Sequence, residues 1–186
     1  MNVKQHLNNV FFSVFIGALL FGAKDINNIE HLSPKIVLFL IFVFSLRLKI
    51  YLDDTEFLGS SESTSRKDFK IGYITSIISW ILFCVVGYCI WNPSLLWAIT
   101  FLIISIVFIT IWTVFAAFIV NPKNENAKKW FWFNLTYMIF LILLYLTITF
   151  ESNFEILNIL QYVILFSLIF TAGFDFKKSK SIHKIT

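Results

Sequence analysis

Apolar residues run through this chain in long blocks and do not alternate with polar ones. The longest block, Ser94 to Val120, contains no charge, no proline and no glycine. At about 1.5 Å of rise per residue, roughly 20 helical residues cross a hydrocarbon core about 30 Å thick, so this block can span a bilayer with some tilt. A soluble core helix of that length would carry a polar face, and none is present. Five further apolar blocks are set apart by short polar stretches. The pattern predicts an all-α fold, a polytopic transmembrane helix bundle, with spans at about 7–23, 35–52, 71–91, 94–120, 130–150 and 156–174. Residues 1–186 then form a single transmembrane domain.

The punctuation between blocks agrees. Pro34 suits the first position of the second helix. Asn92-Pro93 and Asn121-Pro122 mark turns, and Glu151 to Glu155 connects the last two helices. Residues 53–70, with the run Ser60-Ser-Glu-Ser-Thr-Ser, read as a flexible cytoplasmic linker. Its one glycine, Gly59, gives no glycine-rich spacing for phosphate. Residues 175–186 read as a basic cytoplasmic tail. The first block resembles a signal peptide in length, but Phe21-Gly22-Ala23 puts a bulky residue where cleavage wants a small one, so it is kept as a helix.

Composition strengthens this picture. The chain is 58% hydrophobic and 14% charged, against about 25% charged in soluble domains. Mean hydropathy is +0.80. Cys84 and Cys89 sit five apart inside an apolar block, on different helix faces, and read as packing residues; no metal site or cofactor is expected.

Charge sets the orientation. The net charge is +4, with 15 Lys and Arg. With six spans, one side collects Lys4; Arg47, Lys49, Arg66, Lys67 and Lys70; Lys123, Lys128 and Lys129; and Lys177, Lys178, Lys180 and Lys184. The other side holds only Lys24 and Lys35. By the positive-inside rule both termini are cytoplasmic. Basic residues in short loops beside apolar spans mark topology, not nucleic-acid binding. The expected setting is a bilayer, and the Asn-, Lys-, Ile- and Phe-rich usage suggests a bacterial plasma membrane.

Candidate chemistry is sparse. No Asp, Glu or His falls in the middle of a predicted span, and His6, His31 and His183 lie in the tails and first loop. Embedded hydrolases and metalloenzymes need such groups, so no enzyme is expected. Carriers driven by protons or sodium normally show an intramembrane acid and a broken helix, and neither is evident. On the first helix, Ser13 and Gly17, and Ala18 and Gly22, form small faces that serve either close helix packing or a pore-facing seam. On the second, Arg47 and Lys49 either snorkel to the headgroups or pair internally, Arg47 with Asp53 or Asp54. On the sixth, Asn158 and Gln161, three apart, either glue helices together or bind a ligand.

The run Phe11 to Ile26 and the end of the second helix, Phe44-Ser45 with Ile50-Tyr51, resemble the first two helices of the bacterial relatives of the endolysosomal potassium channel family. Those relatives have Phe-Ser-Asp and Ile-Tyr-Trp patterns there, and this chain has Val14 and Leu52 at the Asp and Trp positions. The resemblance implies a six-helix ion channel of homo-oligomeric build, with the first helix lining the pore. It would make Ser13, Gly17, Leu20 and Lys24 pore-lining positions. Two functions are expected from the sequence: an oligomeric ion channel or pore with helix one near its axis, or a non-conducting membrane anchor, immunity or defence component. The second would act through a protein partner at the cytoplasmic face.

Overall fold

Each apolar block folds into a helix, because a chain this poor in polar side chains must satisfy its backbone N–H and C=O groups within its own segments. The computed structural model describes residues 3–24, 33–59, 69–91, 95–120, 125–150 and 155–182. They form α1 (Val3–Lys24), α2 (Pro34–Gly59), α3 (Phe69–Cys89), α4 (Leu95–Val114), α5 (Glu125–Thr149) and α6 (Glu155–Ile182). The fourth helix continues past α4 as a six-residue π segment, Phe115–Val120.

Two stretches expected to be polar connections are helical. The predicted linker at 53–70 begins inside α2, which runs on to Gly59, and ends inside α3; residues 60–68 lie outside the described set. Asp53 stays helical because Lys49 holds it from one turn back, and Asp54 because Trp80 of α3 donates to it. The predicted tail at 175–186 is likewise helical as far as Ile182. Buried residues Gln161, Ile164, Leu165, Leu168 and Ala172 recur every three or four positions along α6, and Asp175 extends that stripe.

The helices pack mainly on two neighbours each, in the order α1, α3, α4, α5, α6, α2 and back to α1. The result is a closed circuit with α2 between the first and last helices of the chain. Phe15, Phe39, Phe42, Phe83, Ile99, Leu102, Leu141 and Leu165 fill one half of its interior. Hydroxyls and an amide tie neighbours together: Ser79 and Ser105 share a 2.7 Å hydrogen bond between α3 and α4. Gln161 Nε2 donates to the Thr147 carbonyl at 3.2 Å between α6 and α5.

The outside is apolar on every side, with Leu20, Ile74, Ile104, Ile142, Ile159 and Phe170 exposed. Four helical stretches are long and apolar enough to cross a membrane: Lys70–Cys89, Leu95–Val114, Ala127–Thr149 and Glu155–Lys178. Gln5–Phe21 is a shorter apolar helix. The 26-residue α2 is long enough, but it carries Arg47 and Lys49 and turns both inward. Apolar surface outside and charge inside is the arrangement that a lipid solvent favours.

Gly72 leaves room on α3 for the Trp112 indole of the fourth helix. A Cβ there would run into the Trp112 indole Nε1 and stand 2.7 Å from its Cδ1. Trp112 is buried against Trp130, so the ring has little room to retreat. Gly72→Ala is expected to cost about 1–3 kcal/mol, the usual penalty of overpacking. Thermal unfolding in detergent checks it, and an unchanged midpoint would mean the indole moves aside freely.

Candidate functional site: a charged centre inside the helix circuit

The half of the interior not filled by Phe and Leu is charged. Lys49 is reached from α2 because it lies on the same inward stripe as Phe42 and Leu46. Its Nζ sits 2.8 Å from Asp53 Oδ2, one turn along, and 3.0 Å from Asp175 Oδ2 on α6. Tyr137 on α5 donates its hydroxyl to the same Asp175 oxygen at 3.1 Å. Lys49 also lies 5.6 Å from the centroid of the Trp130 ring, a cation–π contact. Three helices are thus joined through one ammonium group.

Arg47, two residues earlier, points to the other side of α2. It is 0% exposed, and among the described residues its three guanidinium nitrogens have no hydrogen-bond partner. The cation instead lies over the rings of Phe12 and Phe83, at 5.6 and 5.7 Å from their centroids. Asp54, about two turns further along α2, supplies opposite charge. Trp80 Nε1 donates to Asp54 Oδ2 at 2.7 Å.

A cavity of about 40 Å³ opens beside these groups. One water needs roughly 10–15 Å³, so the space suits a small hydrated occupant. Its lining comes from four helices: Leu46, Lys49, Ile50, Asp53 and Asp54 of α2, Ile109, Trp112 and Thr113 of α4, Trp130 and Asn134 of α5, and Asp175 of α6. Around it, Trp130 Nε1, Asn134 Nδ2 and Asp175 Oδ1 are buried with no hydrogen-bond partner among the described residues. Two of these donate and one accepts. An occupant that both donates and accepts would satisfy all three.

The expected site residues separate into groups. Arg47, Asp53 and Asp54 do come together, but Arg47 makes no hydrogen bond to either acid, and Asp53 pairs with Lys49. Asn158 and Gln161 do not belong with them: Asn158 is exposed, while Gln161 is buried and bonded to Thr147. Three residues of helix turn the two amides about 60° apart, enough to put one outside the bundle and the other inside. Ser13, Gly17 and Leu20 lie on the outward side of α1; Leu20 is 69% exposed, and a Cβ on Gly17 would meet nothing within 4 Å. The Ser13 hydroxyl donates to the Asn9 carbonyl on its own helix. Lys24 closes α1, and its side chain lies outside the described set.

Sequence reasoning missed Asp175, Tyr137, Asn134, Trp80 and Trp130. The usable signal was the α6 stripe, which reaches Asp175 at its regular spacing. Among the described residues, no group of three or more His, Cys, Asp or Glu could hold a metal ion. No protein-family model, curated protein or solved structure matches the chain.

Proposed function

We propose that this is a six-span integral membrane protein of the plasma membrane, with both termini cytoplasmic, and that it passes small ions across the bilayer. The charged centre inside the helix circuit carries this reading. Ionisable groups at such depth are costly and mark ion pathways or proton relays when they face an interior cavity. Here Lys49, Asp53, Asp54 and Asp175 face one, and some of their neighbours' polar atoms have bonding capacity to spare. The apolar half of the interior, around Phe39, Phe42 and Leu102, supports a hydrophobic constriction of the kind that gates by dewetting. The π segment gives the fourth helix the interruption that its sequence did not reveal.

A second reading has its own observation. The outward face of α1, with Ser13, Gly17 and Leu20, suits contact with further copies of the chain around a shared axis. The two paths give different results in one experiment. Full-length protein in liposomes is tested for cation flux, alongside Asp175→Asn and Leu20→Gln. A path through the circuit predicts at least tenfold loss in Asp175→Asn and little change in Leu20→Gln; a path along an α1 axis predicts altered flux in Leu20→Gln. Absence of flux under every gradient, voltage and pH would overturn both and leave the non-conducting partner role.

A further inference from the structure

We propose that the apolar groove between α3, the fourth helix and α5 is a binding site for one acyl chain of an anionic phospholipid. The inference rests on the bilayer reading but not on ion passage. The groove encloses about 370 Å³ and is lined by Ile71, Val107, Ile111, Phe115, Ile119 and Met138, among others. Val107, Ile111, Phe115 and Ile119 are spaced four apart and form one wall along α4 and the π segment. The polar lining residue Thr110 donates its hydroxyl to the Ile106 carbonyl, so it presents no free polar group to the groove.

Length identifies the occupant. From Val107 to Ile119 the fourth helix rises roughly 18 Å at about 1.5 Å per residue. One leaflet of a hydrocarbon core about 30 Å thick is roughly 15 Å deep. The groove therefore runs from mid-bundle to one end, as a single acyl chain does. That end is where α3 begins and the π segment finishes. Exposed Lys70 precedes the lining residue Ile71 there. Exposed Lys129 stands two residues before Phe131, whose ring meets Phe118 of the π segment edge-on at 5.4 Å. Two ammonium groups at the headgroup level select a negative headgroup over a zwitterionic one.

The test uses full-length protein, delipidated in detergent and offered equal amounts of phosphatidylglycerol and phosphatidylcholine, with bound lipid read by native mass spectrometry. Wild type is expected to keep one phosphatidylglycerol per protomer, several-fold over phosphatidylcholine. Val107→Phe and Ile119→Trp fill opposite ends of the groove at exposed positions, so folding is spared, and each should cut retention at least fivefold. Lys70→Gln should keep the lipid and level the headgroup preference, while Ile159→Trp on the exposed face of α6 changes nothing. Failure of wild type to retain lipid, equal retention of both lipids, or undiminished retention in both groove-filling variants would overturn the proposal. A protein that conducts nothing but passes this test would retire the ion-passage reading and leave the lipid site standing.

Discussion

Lys49→Met is expected to destabilise the folded protein by about 3–5 kcal/mol, the cost of removing one partner of a buried ion pair. The methionine fills the space of the lysine stem, so the loss reflects charge and not a cavity. Asp175 is 1% exposed and would keep only the Tyr137 hydroxyl, while Asp53 faces the cavity of about 40 Å³. Adding Asp175→Leu to Lys49→Met should therefore recover most of the loss, because no stranded carboxylate remains on α6. Denaturant or thermal unfolding in detergent reads both. If the single variant loses less than about 1 kcal/mol, the Lys49–Asp175 pair does not brace the circuit, whatever its geometry.

Loss of the Trp80–Asp54 hydrogen bond is the second large effect. Trp80 is 0% exposed, and its indole N–H donates to Asp54 Oδ2 at 2.7 Å, joining α3 to α2. Asp54→Leu keeps the bulk but strands the buried N–H, so it should destabilise the folded protein by about 1–3 kcal/mol. Asp54→Asn keeps an acceptor oxygen in the same place and should lose less. Thermal unfolding in detergent reads both variants. The local readout is Trp80 emission, which should change more in Asp54→Leu than in Asp54→Asn. An unfolding midpoint in Asp54→Leu equal to that of wild type would mean that this bond does not hold α3 to α2.

The fold was legible in the hydrophobic pattern because helices with apolar outer faces leave long, uninterrupted runs. The six blocks became six helices, with differences at their ends. Those ends are where the site was hidden. Hydropathy assigns an acid to the loop when apolar residues stop, as at Asp53 and Asp175. Helices, however, stop only when hydrogen bonding and packing stop. Periodicity was the better guide: Phe42, Leu46, Lys49 and Asp53 share a stripe, as do Leu168, Ala172 and Asp175. What no single-chain pattern could give is that the two stripes face each other, since that depends on α2 closing against α6. Arg47 was partly legible. Its depth in α2 pointed to an internal role, but its resting place between Phe12 and Phe83 is a tertiary fact.

The order of helices around the circuit also dictates an order of events during synthesis. The α2 helix emerges second, but one of its two neighbours is α6, the last to be made. At roughly 5–20 residues per second, Asp175 follows Lys49 from the ribosome only after about 6–25 seconds. Through that interval Lys49 has a partner within its own helix, Asp53, one turn away. The nascent chain can thus commit α2 to its place with the lysine already paired, and the arrival of α6 adds the second carboxylate and locks the circuit shut.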